Sequence, residues 1–232
     1  MTSYMDYTAS TTQFTYDLNN NTLFKKNAQN YINVLSIKQL NTLENTSLLD
    51  IFLSTGNVIE PHYHQNAAEL VYCISGAAVI SVINPFTNVL LHFPLKPGQV
   101  ANVPQGWWHY IVATVDNTHF LSIFDAPIPE VILGSDILRL TPANILAHTY
   151  CLDEAKVKDT LSPIKSTVFI GPPTDCNKTQ VQGTMTVVPQ QQPQQPQQMY
   201  ARQLYHNQAY YQQANGEYPY GYYPQPYPNP QY

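Results

Sequence analysis

Two histidines one residue apart, His62 and His64, and a carboxylate five residues on, Glu69, stand in the stretch GNVIEPHYHQNAAELVYCISG from Gly56 to Gly76. Side chains alternate faces along a strand, so His62 and His64 point the same way where the chain is extended. Val58, Ile59 and Tyr63, then Leu70 to Ile74, have the β-branched and aromatic character of strands. Gln65-Asn66-Ala67-Ala68 makes a short bend before Glu69. Two imidazoles and a carboxylate on one inward face are ligands for a divalent transition metal, and they call for a fourth.

Such ligands need a scaffold, and the surrounding sequence is rich in short strands. Tyr31 to Ile37 and Leu48 to Leu53 read as strands ahead of the stretch. Ala77 to Ile83, Val89 to Phe93, Val100 to Val103, His109 to Val115 and His119 to Phe124 follow it. Turn signals at Asn84-Pro85-Phe86-Thr87-Asn88, Lys96-Pro97-Gly98-Gln99, Pro104-Gln105-Gly106 and Asp116-Asn117-Thr118 separate them. Strands this short at this spacing predict an all-β antiparallel sandwich or barrel. Beyond Phe124 the period changes. Ser135 reads as the cap of a short helix, Thr141-Pro142 as the N-cap and first position of ANILAHTY, and Asp153 as the cap of EAKVKDTL. A small helical appendage over about residues 135–161 is therefore expected.

Composition sets the outer limits. The chain has 232 residues with a net charge of −5, so it offers no basic surface for nucleic acid. Its most apolar run, Leu70 to Ile83, is about half the length of a membrane helix and is interrupted by Ser75, Gly76 and Ser81. The first residues carry no basic or apolar signal segment, which predicts synthesis in the cytosol and no membrane association. Cys73, Cys151 and Cys176 are scattered and form neither a zinc pattern nor a disulfide framework. Residues 1–13 read as a flexible arm and 166–188 as a linker. From 189 to 232 the chain holds 13 Gln, 8 Pro and 10 Tyr and almost no aliphatic residues. That composition cannot build a core, so a disordered tail able to join other proteins is expected there.

A second stretch, from Gly98 to His109, reads Gly-x5-Pro-x-Gly-x2-His, and the first reads Gly-x5-His-x-His-x4-Glu-x6-Gly, with 21 residues between them. Together they resemble the two motifs of the cupin family. The second motif usually ends in Asn four residues after its His, where this chain has Ala113. FTYDLNNN ahead of the strands and SDILRLTPANILAHTYCLDEAKVKDTL after them are similar to the germin and oxalate decarboxylase branch. The resemblance implies a double-stranded β-helix, or jelly-roll barrel, over residues 14–165, including the helices. It implies a divalent metal on His62, His64, Glu69 and His109, with Mn(II) favoured and Fe(II), Ni(II) or Zn(II) compatible with the same ligands. It also implies a homo-oligomer assembled through the barrel and the C-terminal helices.

The branch implies a small carboxylate as substrate and decarboxylase or oxidase chemistry. Two departures bear on that. Oxalate decarboxylases carry an Arg three residues before the first ligand, where this chain has Ile59, and a Glu in a lid loop, where DAPIPEVILGSD is shorter and offers only Glu130 in its middle. Glu130 is the candidate acid, and Ile59, Trp108 and Tyr110 are candidate pocket residues beside the ligands. Ile59 and the Trp107-Trp108 pair also fit a cupin dioxygenase or isomerase with a less polar substrate. A third reading makes the chain a structural protein, since Gln/Pro/Tyr-rich tails resemble those of spore-coat proteins with cross-linkable tyrosines.

Overall fold

The computed structural model describes residues 5–176. Residues 1–4, the rest of the expected linker and the whole tail from 189 lie outside the described residues.

Among the described residues, twelve strands form two antiparallel sheets that face each other. They are β1 (Thr22–Asn27), β2 (Asn30–Leu35), β3 (Ser47–Leu53), β4 (Val58–Tyr63), β5 (Glu69–Ser75), β6 (Ala78–Asn84), β7 (Val89–Leu95), β8 (Val100–Val103), β9 (His109–Ala113), β10 (Thr118–Phe124), β11 (Ile132–Leu133) and β12 (Ile170–Gly171). One sheet runs β1-β2-β3-β10-β5-β8 and the other β11-β4-β9-β6-β7, with β12 beside β4. This is the expected all-β jelly roll. Its signature is the pairing of strands distant in sequence, such as β3 with β10, where Ile51 opposes Phe120.

Alternation decides which residues meet between the sheets. In β5, Glu69, Val71 and Cys73 are buried while Leu70, Tyr72 and Ile74 are exposed. Ile51, Leu53, Ile80, Ile111, Val71 and Phe120 form the centre of the core. The turn from β5 to β6 depends on Gly76. Its φ is +74°, and a Cβ there would stand 2.5 Å from the Thr118 backbone. At the predicted hairpin Asn84–Asn88, Asn88 adopts φ 54° and its N–H donates to the Asn84 carbonyl at 2.9 Å.

Three helices follow: α1 (Gly134–Leu140), α2 (Ala143–Tyr150) and α3 (Glu154–Leu161). Asp153 caps α3 as expected, accepting from the Lys156 N–H at 3.0 Å. The other two caps differ from expectation. Ser135 lies inside α1, and its hydroxyl donates instead to Glu60. Pro142 takes the N-cap position of α2, while the Thr141 hydroxyl turns back to the Ile137 carbonyl at 2.6 Å. In both cases a nearby acceptor outcompetes the capping geometry. Among the described residues no helix is long and apolar enough to cross a membrane.

Three strands were not anticipated. β1 is polar, TLFKKN, and is exposed at a sheet edge. β11 and β12 are two residues long and exist by pairing with β4. Residues expected as linker thus run along β4, with Ile170 opposite Ile59. The expected arm is tied down where it is described: the Tyr7 hydroxyl donates to Glu44 at 2.7 Å and the Gln13 N–H to Asn41 at 2.9 Å.

Candidate metal centre

A bulge in β4 sets the site. Ile59 pairs with Ile111 and His62 with His109, so three steps on β4 match two on β9. One extra residue therefore sits at Glu60-Pro61, where Pro61 brings no N–H to the ladder. Without the bulge, Ile59 and His62 would face opposite sides of the sheet. With it, both line the barrel interior, and Glu60 is turned aside toward α1.

His62 and His109 come from adjacent strands of one sheet, His64 from just past the end of β4, and Glu69 from β5 of the facing sheet. All four are at most 5% exposed, so the carboxylate meets the imidazoles in a dry interior. Their ligand atoms all lie within 4.8 Å of one another, and the group could hold a metal ion. Each imidazole is oriented by a backbone carbonyl. Nδ1 of His62 donates to Glu60 at 2.6 Å, that of His64 to Glu130 at 2.7 Å, and that of His109 to Trp107 at 2.9 Å. A carbonyl only accepts, so each Nδ1 holds the proton and each Nε2 faces inward. The Nε2 atoms of His109, His64 and His62 stand 2.7, 3.3 and 4.0 Å from the same oxygen, Glu69 Oε2. Phe124 packs edge-on against the His64 ring at 4.7 Å.

Burial and the mutual contacts of the four groups set the electrostatics. Burial pushes His62 down to about 3, assisted by the charges of His109 and His64 and opposed by Glu69. Burial works to raise Glu69, but the charge of His109, its hydrogen bond and the nearby His64 imidazole hold the carboxyl well below the usual range. For His109, burial works against the charged form, and Glu69 overcomes it and raises the pKa. One buried atom is left over. His64 Nε2 has no hydrogen-bond partner, and such an atom is costly in a protein interior unless something coordinates it. A divalent cation among four inward-facing donors would supply that partner, so the residues fit a metal.

The centre opens on a cavity of about 350 Å3. Ile59 lines it. Trp108 and Tyr110 do not. They flank His109, which faces inward, and alternation sends its neighbours to the other side; the Trp108 ring lies near Tyr63 and Gly134. Glu130 is exposed, its carboxylate accepts from Gln65 Nε2 at 2.9 Å, and it does not line the cavity; its carbonyl is what reaches His64.

Two residues outside the expected ligand and pocket set shape this region. Glu60 is a buried carboxylate that accepts the Ser135 N–H and hydroxyl, each at 2.8 Å, and the N–H groups of Val168 and Phe169 at 3.3 and 3.2 Å. Phe169, held by that clamp, forms part of the cavity wall. Glu60 matches the residue type that oxalate decarboxylases carry two before the first ligand, which was a usable signal. Phe169 had none.

The family model described as Cupin matches residues 18–158, more than half of the chain. The chain belongs to the cupin family. Among its relatives, a germin-like protein of Arabidopsis thaliana (subfamily 2 member 1) is 30% identical over 131 residues, 54% of this chain and 59% of that one. Conglutin alpha 1 of Lupinus angustifolius is 27% identical over 118 residues, 49% of this chain and 23% of that one. The chain thus spans less than two thirds of either relative. Oxalate decarboxylase from Bacillus subtilis superposes with a TM-score of 0.61 at 20% identity, covering 76% of this cupin and 47% of that chain. The coconut allergen cocosin gives 0.61 at 23% identity, covering 69% and 44%. The fold is therefore shared by relatives named as enzymes and by seed globulins.

Proposed function

We propose that this cupin binds one divalent metal ion through Nε2 of His62, His64 and His109 and the carboxylate of Glu69, and uses it on a small carboxylic acid. The observation that carries the reading is the common orientation of the three imidazoles, each with Nδ1 tied to a carbonyl and Nε2 turned to the centre. Mn(II) is the metal we infer; the ligand set also accepts Fe(II), Ni(II) and Zn(II). When bound, the ion supplies positive charge that polarises an oxygen of the acid, with about two coordination positions left for it. The chain does the rest. The cavity wall excludes water from the acid, Phe124 and the carbonyls of Glu60, Trp107 and Glu130 fix the rings, and Glu69 provides the single negative ligand. Glu130 enters as the group that orients His64. Decarboxylation or oxidation of the acid is the reaction class that the resemblance to the germin and oxalate decarboxylase branch implies.

Metal analysis of the protein after Mn(II) loading and dialysis is the test, with His64→Ala and Glu69→Ala alongside. About one ion per chain is expected, falling sharply in both variants while circular dichroism keeps its β-sheet signature. Equal metal content in wild type and variants would sink the assignment.

A further inference from the structure

We infer that the acid taken by this centre is a monoanion with an apolar body of several carbons, and that Phe169 sets the length it accepts. This rests on the metal reading above and deepens it.

Charge balance is the first argument. A divalent ion with Glu69 as its one anionic ligand carries a single net positive charge, which one carboxylate neutralises. A dicarboxylate would leave a surplus negative charge in the interior, where unpaired charge is strongly disfavoured. No buried cation is there to meet it. Lys38 is the one cation lining the cavity among the described residues, and it is exposed, with Thr22 and Leu23, at the open end. Arg139 is engaged with Asp136 at 2.8 Å.

The second argument is the wall. The apolar part of the cavity lining includes Ile32, Ile51, Ile59, Val131, Leu133 and Phe169, beside the polar Asn21, Ser36 and Gln39. A cavity of about 350 Å3 with such a lining has room for a hydrocarbon body beyond the carboxyl group. Ile59 is part of that lining because the β4 bulge turns it inward.

The third is the fixity of Phe169. Its φ is 55°, a conformation a bulky residue rarely adopts, and its surroundings enforce it. Its N–H donates to Glu60 Oε1 at 3.2 Å, its carbonyl accepts the Glu60 N–H at 3.1 Å, and its ring lies 5.2 Å from that of Phe24. Ile170 then pairs with Ile59. The ring is a wall in a set position, so it determines where a ligand chain must stop.

The full-length Mn(II) protein is titrated with oxalate and with straight-chain 2-oxo acids starting at pyruvate, which present two oxygens to a metal with one negative charge. Calorimetry gives the affinities, and the Mn(II) paramagnetic resonance spectrum reports contact with the ion. Affinity is expected to rise about fourfold for each added methylene until the cavity is filled, with oxalate among the weakest ligands. Phe169→Leu, a milder change than Phe169→Ala, is expected to move the plateau to longer acids with metal content unchanged. A flat series, or oxalate binding as tightly as the best 2-oxo acid, overturns the inference while leaving the metal reading in place. Equal affinities in metal-free protein overturn it too, because the carboxyl group would not be seated at the centre. An unchanged plateau in folded Phe169→Leu removes the role of Phe169. Failure to take up metal at all removes the parent reading and this one with it.

Discussion

Nε2 of His109 lies 2.7 Å from Glu69 Oε2, and that pair competes with a metal for both groups. Glu69 raises the pKa of His109 above its ordinary 6.5, so a proton is held there in metal-free protein at mildly acidic pH. His62, lowered to about 3 by burial, is neutral over the same range and costs the metal no proton. The sign follows: as pH falls through the raised His109 value, the metal must displace a proton, and affinity drops by up to about tenfold per pH unit. Above that value the dependence flattens. Metal titrations across mildly acidic to mildly alkaline buffers check this, and affinity that rose on acidification would contradict it. The ligand types and spacing of this pair were legible in the sequence, because a motif fixes residues and intervals. The tautomers were not, since they depend on carbonyls of Glu60, Trp107 and Glu130 aimed by the folded backbone.

The bulged strand β4 carries two ligands and also anchors the C-terminal segment. Glu60, displaced by the bulge, accepts hydrogen bonds from Ser135, Val168 and Phe169. Glu60→Ala would leave those buried donors without an acceptor, and a loss of about 3 kcal/mol is expected. Glu60→Gln, which keeps acceptor oxygen and shape, should lose about 1 kcal/mol. Denaturant unfolding measures both, and equal effects of Ala and Gln would contradict the clamp. Strands β2 to β10 could be read from β-branched runs between turn signals. β1 could not, because TLFKKN is an edge strand with little apolar content, nor β11 and β12, because two residues carry no period. Trp108 and Tyr110 are a different case. The alternation that turned His109 inward would have turned them away, so the signal was present in the sequence.

At the scale of the molecule, the barrel buries its metal centre while the helices leave apolar side chains in water. Leu140, Ile145, Tyr150 and Leu152 are each more than half exposed. That exposure leads us to propose self-association through this face. Analytical ultracentrifugation should find an oligomer, and Ile145→Lys with Tyr150→Lys should shift it toward monomer with metal content retained. A monomeric wild type would contradict the proposal. Short strands between turn signals set the all-β class, and composition marks the break near residue 189, but the cavity wall comes from segments far apart in sequence, Ile32 to Phe169, which no local pattern joins.

The central claim is that one metal ion lies among His62, His64, Glu69 and His109. Anomalous scattering from a crystal of the Mn(II)-loaded protein tests it most directly. One strong peak per chain is expected at about 2.2 Å from three Nε2 atoms and a Glu69 oxygen. A loaded crystal with no peak at that position, or with its peak held by other residues, would contradict it.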